Sequence, residues 1–310
     1  MGDKTVVVTG ASGFLGSHLV QRLRDEEGYR VLALSARSRE LQRRMGGANV
    51  ICLPRDAFAA DSGLWAGAVV VNCAYPRNAT GPAVADGLKY VQKVFEGAVA
   101  GRAAAILNVS SQSVYSQQRT EAAAEDAPVC LESPYAVGKF ATELMLESVC
   151  RGGGTEFTNV RLASLIGPGF DQRIVNRLLV QAVEQRRMVI HSSERRFAFL
   201  DVEDAVDGIL SLIQTPVERW RPCYNLGGQE SYTLDEIAET IQSCVRDRLG
   251  ELTIERDTVV ERGSGALDAA RLRADTGFVS RVPLNESVAR IFESVLARRE
   301  TGAREDMGNG

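Results

Sequence analysis

Residues 5–16 read Thr5-Val6-Val7-Val8-Thr9-Gly10-Ala11-Ser12-Gly13-Phe14-Leu15-Gly16. The first five are β-branched, which favours an extended strand. From Phe14 onward, apolar residues recur at helical spacing (Phe14, Leu15, Leu19, Leu23), which predicts a helix over Phe14–Arg24. Between strand and helix, three glycines spaced three apart let the backbone turn tightly and approach a pyrophosphate. The N-terminus of the helix directs N–H groups and partial positive charge at the same place. Gly10, Ser12, Gly13, Phe14, Leu15 and Gly16 are therefore candidates for holding a dinucleotide.

Working outward, strand-like runs recur at Arg30–Ser35, Val50–Leu53, Val69–Ala74, Ala104–Ser110 and Phe157–Leu162. Helical patterns separate most of them, notably Val84–Ala100 and Tyr135–Cys150. Strand–helix alternation predicts an α/β fold with a doubly wound parallel sheet. The strands are nearly continuous apolar runs, as a sheet covered on both faces requires. After Gly167-Pro168-Gly169 the pattern changes. A helix at Arg173–Gln185 leads to strands at Met188–His191 and Phe197–Val202, a helix over Glu203–Gln214 and a strand at Cys223–Leu226. Helices at Leu234–Leu249 and Asn285–Arg298 follow. We expect a dinucleotide-binding domain over 1–167 and a smaller substrate lobe over 168–298, interleaved with the end of the first domain. Residues 299–310 are polar and Gly-rich and are expected to be disordered.

The chain has 310 residues, enough for one large α/β domain or one with a smaller lobe added. Its formal net charge of −4 shows no basic excess for nucleic acid. No apolar run is long enough to span a membrane, and strand-forming residues begin too early for a signal peptide. The six cysteines form no C-x-x-C pair, which suits reduced thiols in a cytoplasmic protein. The two histidines, His18 and His191, have no acidic neighbour at ligand spacing, so neither a catalytic metal nor a Ser-His-Asp mechanism is expected.

The end of the second strand reads Ser35-Ala36-Arg37-Ser38-Arg39 and lacks the carboxylate that would hold the ribose of NAD. Ser35, Arg37 and Ser38 suit a 2′-phosphate, for which the guanidinium fork is well shaped. The reading is NADP, with NAD as the alternative. Asp56 is placed to meet the adenine amino group, and Ala74 closes the fourth strand beside the cofactor.

Tyr135-Ala136-Val137-Gly138-Lys139 opens a long helix. Residues four apart share a helical face, so an ammonium at Lys139 favours the phenolate of Tyr135 and readies it for proton transfer near neutral pH. Ser110-Ser111-Gln112-Ser113-Val114-Tyr115 follows the fifth strand, at the carboxyl edge of the sheet where ligands bind. A hydroxyl there can hydrogen-bond a substrate oxygen.

With these pieces in place, the chain resembles the extended short-chain dehydrogenase/reductase superfamily, in its nucleotide-sugar epimerase/dehydratase group. The resemblance rests on TGASGFLG, SSQSVY, SPYAVGK, Arg161 with Gly167-Pro168-Gly169, FLDVEDA, YNLGG and ARLRADTGF, in that order along nearly the whole chain. It implies a Rossmann domain with a small C-terminal lobe and Tyr135 as the acid/base. Lys139 would bind the nicotinamide ribose, and the catalytic hydroxyl would be Ser111. The group's 4,6-dehydratases carry Asp-Glu directly after that hydroxyl, where this chain has Gln112 and Ser113. The acid and base for water elimination are therefore missing. The resemblance points to an NADPH-dependent ketoreductase acting on a nucleotide-linked deoxysugar. A nucleotide-sugar 4-epimerase, a reductase of a non-sugar carbonyl and a non-catalytic NADP-binding sensor remain alternatives. Gln112, Asn176, Arg196 and Arg262, with Arg77 and Arg177, are candidates for substrate contacts. Members often have Arg where Phe197 stands; here the arginines are Arg195 and Arg196. A homodimer through the helices at Val84–Ala100 and Tyr135–Cys150 is expected from the resemblance, although their apolar faces would equally serve as core.

Overall fold

The computed structural model describes residues 3–57, 62–76 and 81–308, with side chains as far as residue 300. The first half comprises β1 (Lys4–Thr9), α1 (Phe14–Asp25), β2 (Tyr29–Ser35), α2 (Ser38–Met45), β3 (Val50–Pro54), β4 (Val69–Asn72), α3 (Pro82–Ala100), β5 (Ala105–Ser111), α4 (Pro134–Cys150) and β6 (Glu156–Leu162). The second comprises β7 (Ser164–Ile166), α5 (Ile174–Gln185), β8 (Arg187–Ser192), β9 (Phe197–Asp201), α6 (Val202–Gln214), β10 (Cys223–Leu226), β11 (Ser231–Tyr232), α7 (Leu234–Leu249), β12 (Thr253–Thr258), α8 (Ala270–Thr276) and α9 (Leu284–Gly308).

Seven parallel strands form the central sheet in the order β10-β6-β5-β4-β1-β2-β3. This is the doubly wound arrangement expected from the sequence. The chain reverses direction across the sheet between β1 and β4, and the carboxyl ends of those strands face the crevice where such folds hold ligands. Val6, Val7, Val8, Val70 and Val71 are fully buried because helices cover both faces. On one face, α1 and α6 pack over Val6, Val8, Val31 and Leu107. On the other, Val91, Val94 and Phe95 of α3 and Leu146 of α4 pack over Val7, Val70 and Ile106. Those α3 residues are thus core, the second of the two roles the sequence left open.

In the second half, helices α5, α7 and α9 enclose a separate core of Leu179, Ile237, Ile241, Val288, Ile291 and Phe292, forming a smaller lobe. The lobe also returns to the first half, since β10 pairs with β6. Small sheets β11-β9-β7 and β12-β8 complete it. The sequence reading omitted α2, α8, β7, β11 and β12, and carried β4 two residues too far. α2 buries only Leu41 and Met45, and β12 is almost entirely exposed, so neither shows a useful apolar period. α9 continues past Arg298 to Gly308, into the stretch expected to be disordered; the side chains of 301–310 lie outside the described residues. No described helix is long and apolar enough to cross a membrane.

Candidate active site

The glycine loop is built by close approach. Gly10 has φ +65°, and a Cβ there would stand 2.8 Å from both the Cα and the amide nitrogen of Ala74. A Cβ on Gly16 would strike the Gly10 carbonyl, so this glycine lets α1 sit tight against the loop. Gly13 is the N-cap of α1 and supplies no side-chain acceptor to its first turn. Backbone donors at that turn face the loop rather than a capping side chain, which suits an anion. A cleft of about 480 Å³ opens here, lined by Gly10, Ser12, Gly13, Ser35 and Ala74 among others. Its glycine floor, uncapped helix terminus and size fit a dinucleotide. Gly10→Ala should weaken cofactor binding by at least about tenfold, as a Cβ meets backbone and the left-handed conformation costs about 1–2 kcal/mol. Fluorescence titration with NADPH checks this; unchanged affinity would contradict the assignment.

Ser35 Oγ donates to Ser12 Oγ at 2.8 Å and accepts from the Arg37 amide at 2.9 Å. This ties the end of β2 to the glycine loop. Other expected cofactor residues lie off the cleft wall. Leu15 points its side chain into the core. Phe14 stacks on Phe170 with ring centroids 4.1 Å apart. Arg37, Ser38 and Asp56 stand outside the wall, Arg37 with its guanidinium 3.8 Å from Glu40. Arg55, rather than its neighbour Asp56, is on the wall. It lines the cleft with its guanidinium 4.3 Å from the centroid of the Tyr90 ring, and the Tyr90 hydroxyl donates to its carbonyl.

A second cavity of about 310 Å³ shares Tyr75 and Pro76 with the cofactor cleft. Ser111, Gln112, Ser113, Tyr135, Ser164 and Arg173 are on its wall. Ser111 is the last residue of β5. Its Oγ accepts from the Ser113 amide at 3.2 Å and from Ser113 Oγ at 3.0 Å. Both lone pairs are thereby used, and its own proton is left to donate into the cavity. Tyr135 enters from the first turn of α4, which starts sharply because Ser133 Oγ accepts from the Ala136 amide and Pro134 stands at the first helical position. One turn on, Lys139 is buried; its Nζ donates to the Val109 carbonyl at 2.7 Å and lies 4.4 Å from the Tyr75 ring centroid.

The expected substrate contacts assemble only in part. Gln112 is on the wall, its Oε1 accepting from Arg119 at 3.1 Å. Asn176 is not: it is fully buried and donates to the Gly167 carbonyl at 2.9 Å. Arg196 turns to Ser231 and Glu236, and exposed Arg262 pairs with Glu194 at 2.7 Å. Arg177 is exposed, and Arg77 lies outside the described residues. The cation on the wall is Arg173, which the sequence reading used only as a helix start. Among the described residues no three His, Cys, Asp or Glu side chains gather as a metal site.

The family described as "Epimerase: NAD dependent epimerase/dehydratase family" matches residues 6–227. The chain belongs to this family. Zebrafish (Danio rerio) UDP-glucuronic acid decarboxylase 1 is 24% identical over 79% of this chain, which spans 62% of that protein's length. A Streptomyces dTDP-4-dehydro-6-deoxy-D-allose reductase is 26% identical over 87% of this chain and 89% of its own. In fold, the chain is similar to UDP-glucuronic acid 4-epimerase from Bacillus cereus, solved in complex with NAD. The TM-score is 0.80 at 19% identity, covering 95% of this chain and 99% of that one. The family match and the likeness in fold agree with the extended short-chain dehydrogenase/reductase resemblance read from the sequence.

Beneath the site of this epimerase/dehydratase-family chain lies a buried charged network. Glu143, one turn beyond Lys139 on α4, accepts from Ser110 Oγ, next to Ser111. It also accepts from Arg161 Nε at 3.0 Å and Nη2 at 2.7 Å. Arg161 Nη1 donates to the Tyr115 hydroxyl at 2.8 Å, which donates to Asn225 at 2.9 Å. Burial by itself pulls the Arg161 guanidinium down, but its hydrogen bonds to Glu143 and the carboxylate charge outweigh this and hold it above its ordinary value. The network joins α4, β5, β6 and β10, so the elements carrying Tyr135 and Ser111 share one anchor.

Proposed function

We infer that the protein is an NADPH-dependent ketoreductase, reducing a keto group on a nucleotide-linked deoxysugar. The observation that carries this reading is the wall of the cavity holding Ser111 and Tyr135. Gln112 and Ser113 stand beside Ser111, and no Asp or Glu lines the wall among the described residues. Water elimination needs an acid and a base in addition to the group that serves the alcohol oxygen, and beyond Tyr135 that wall supplies no carboxylate for them among the described residues. It does supply one phenol, Tyr135, and one hydroxyl with a proton to donate, Ser111.

The cofactor, when bound, supplies the hydride. Tyr135 donates the proton to the substrate oxygen as negative charge builds there. Ser111 donates a hydrogen bond to the same oxygen, which lowers the barrier because the donor is already fixed by Ser113. Lys139 sets the charge beside Tyr135, and Arg173 supplies the cation for an anionic part of the substrate. Ser35, with no carboxylate at the end of β2, supports NADP over NAD. Arg37 lies off the cleft wall, but its side chain is exposed and its backbone amide donates to Ser35, which is on that wall, so we assign it the 2′-phosphate. Arg37→Ala should raise KM for NADPH about tenfold and leave KM for NADH nearly unchanged, since a charge-assisted contact contributes about 1.5–3 kcal/mol. Equal effects on the two would remove the NADP assignment.

The oligomer read from the family resemblance is a dimer through α3 and α4. Val137 and Leu144 of α4 are 49% and 52% exposed, although Phe140 turns inward. Leu144→Glu should convert a dimeric mass in solution to a monomeric one; a monomeric wild type would refute the dimer.

The test of function is incubation with 4-keto-6-deoxy nucleotide sugars, made in place by a dehydratase, while nicotinamide absorbance is followed. Oxidation of NADPH with one nucleotide series is expected. Interconversion of ordinary nucleotide sugars without net cofactor use would establish the epimerase alternative instead.

A further inference from the structure

Tyr75 follows the carboxyl end of β4 and forms part of the wall between the two cavities. Two contacts fall on its ring and two observations concern its hydroxyl. The Tyr135 ring meets it edge to face, with centroids 5.3 Å apart. The Lys139 ammonium sits 4.4 Å from its centroid. Its hydroxyl lies 3.5 Å from the Tyr135 carbonyl. Gly138, between those two residues, leaves the space the phenol occupies, since a Cβ there would collide with the Tyr75 oxygen.

We propose that Tyr75 is a positioning residue of the proton-transfer pair, its ring holding Tyr135 edge-on and covering the Lys139 ammonium with its π face. The proposal rests on the reading of Tyr135 as proton donor. Two effects follow from ring geometry. The edge-to-face contact fixes the plane of Tyr135, a side chain that otherwise turns about χ1 and χ2 in a half-open cavity. The π face attracts the ammonium of buried Lys139 and holds it in place, one helical turn from Tyr135. The glycine in SPYAVGK acquires a reason: Gly138 admits the ring. Burial, and secondarily the neighbouring Tyr135, push the Tyr75 phenol up, so Tyr75 is neutral at working pH and acts through its ring.

The test uses the full-length protein with three substitutions, Tyr75→Leu, Tyr75→Met and Tyr75→Phe. Tyr75→Leu is expected to lower kcat about 10- to 100-fold with a 4-keto-6-deoxy nucleotide sugar, the scale at which misplacement of a reacting group is felt. KM for the sugar should change little. Tyr75→Phe, which keeps the ring, should recover most of the loss. Tyr75→Met serves if the leucine variant fails to fold, as judged by thermal melting. A second readout needs no substrate. In cofactor-free protein labelled with carbon-13 at tyrosine Cζ, the signal that vanishes in Tyr135→Phe should shift in Tyr75→Leu and stay near its wild-type position in Tyr75→Phe. The proposal is overturned if Tyr75→Leu keeps kcat, if Tyr75→Phe is as slow as Tyr75→Leu, or if only KM moves. Tyr135→Phe, assayed in parallel, separates the two readings. Full turnover there sinks the proton-donor assignment itself, whereas collapse there with an active Tyr75→Leu sinks the role of Tyr75 and nothing more.

Discussion

Tyr135→Phe is expected to lower kcat by about 10²- to 10⁴-fold, the range supplied by a positioned general acid. The substitution removes one hydroxyl and leaves the ring in its contact with Tyr75. NADPH binding should stay within about twofold, because the glycine loop and the β2 end are untouched and a lost contact worth less than about 0.4 kcal/mol is within that range. Stopped-flow oxidation of NADPH with fluorescence titration checks both halves. Turnover near wild type would mean that the proton comes from elsewhere, and the roles of Ser111 and Lys139 would fall with it.

The second large effect concerns stability. Arg161→Met leaves Glu143 with its charge buried and its bidentate partner gone, and should cost about 3–5 kcal/mol in denaturant unfolding. The side chains of this pair are 7% and 6% exposed. Solvent therefore does not screen the lone carboxylate as it would at the surface. The double variant Glu143→Leu/Arg161→Met should be markedly more stable than Arg161→Met, because removing both charges also removes the desolvation cost. A single variant as stable as wild type would mean that the pair is not the anchor between α4, β5 and β6.

The fold was legible where burial imposes a pattern. Val6–Val8 and Val69–Val71 are covered on both sides, so they appear as continuous apolar runs and could be read as central strands. Elements that bury little left no such trace. α2 puts Arg and Gln at half of its positions, and β12 pairs with β8 through backbone rather than through an apolar face. Within the site, residues close in sequence were readable. Tyr135 and Lys139 share a helical face, and Ser111 ends a strand. Walls assembled from distant segments were not. Tyr75 and Arg173 reach the cavity from a loop after β4 and the residue before α5, and neither sits in a motif. The cations were the weakest part of the reading. Sequence displays the charge of Arg196 and Arg262 but not the Ser231, Glu236 and Glu194 that engage them. Asn176 shows the same limit, since only the packing of α5 against Gly167 reveals that its amide nitrogen is engaged internally.

The most direct measurement is isotopic. NADPH carrying deuterium at both C4 positions of the nicotinamide would be incubated with the protein and a 4-keto-6-deoxy nucleotide sugar, and the product weighed by mass spectrometry. A ketoreductase transfers one deuterium per product molecule and leaves one oxidised cofactor for each. An unlabelled product that is an epimer of the supplied sugar, formed with the cofactor unoxidised, would contradict net reduction.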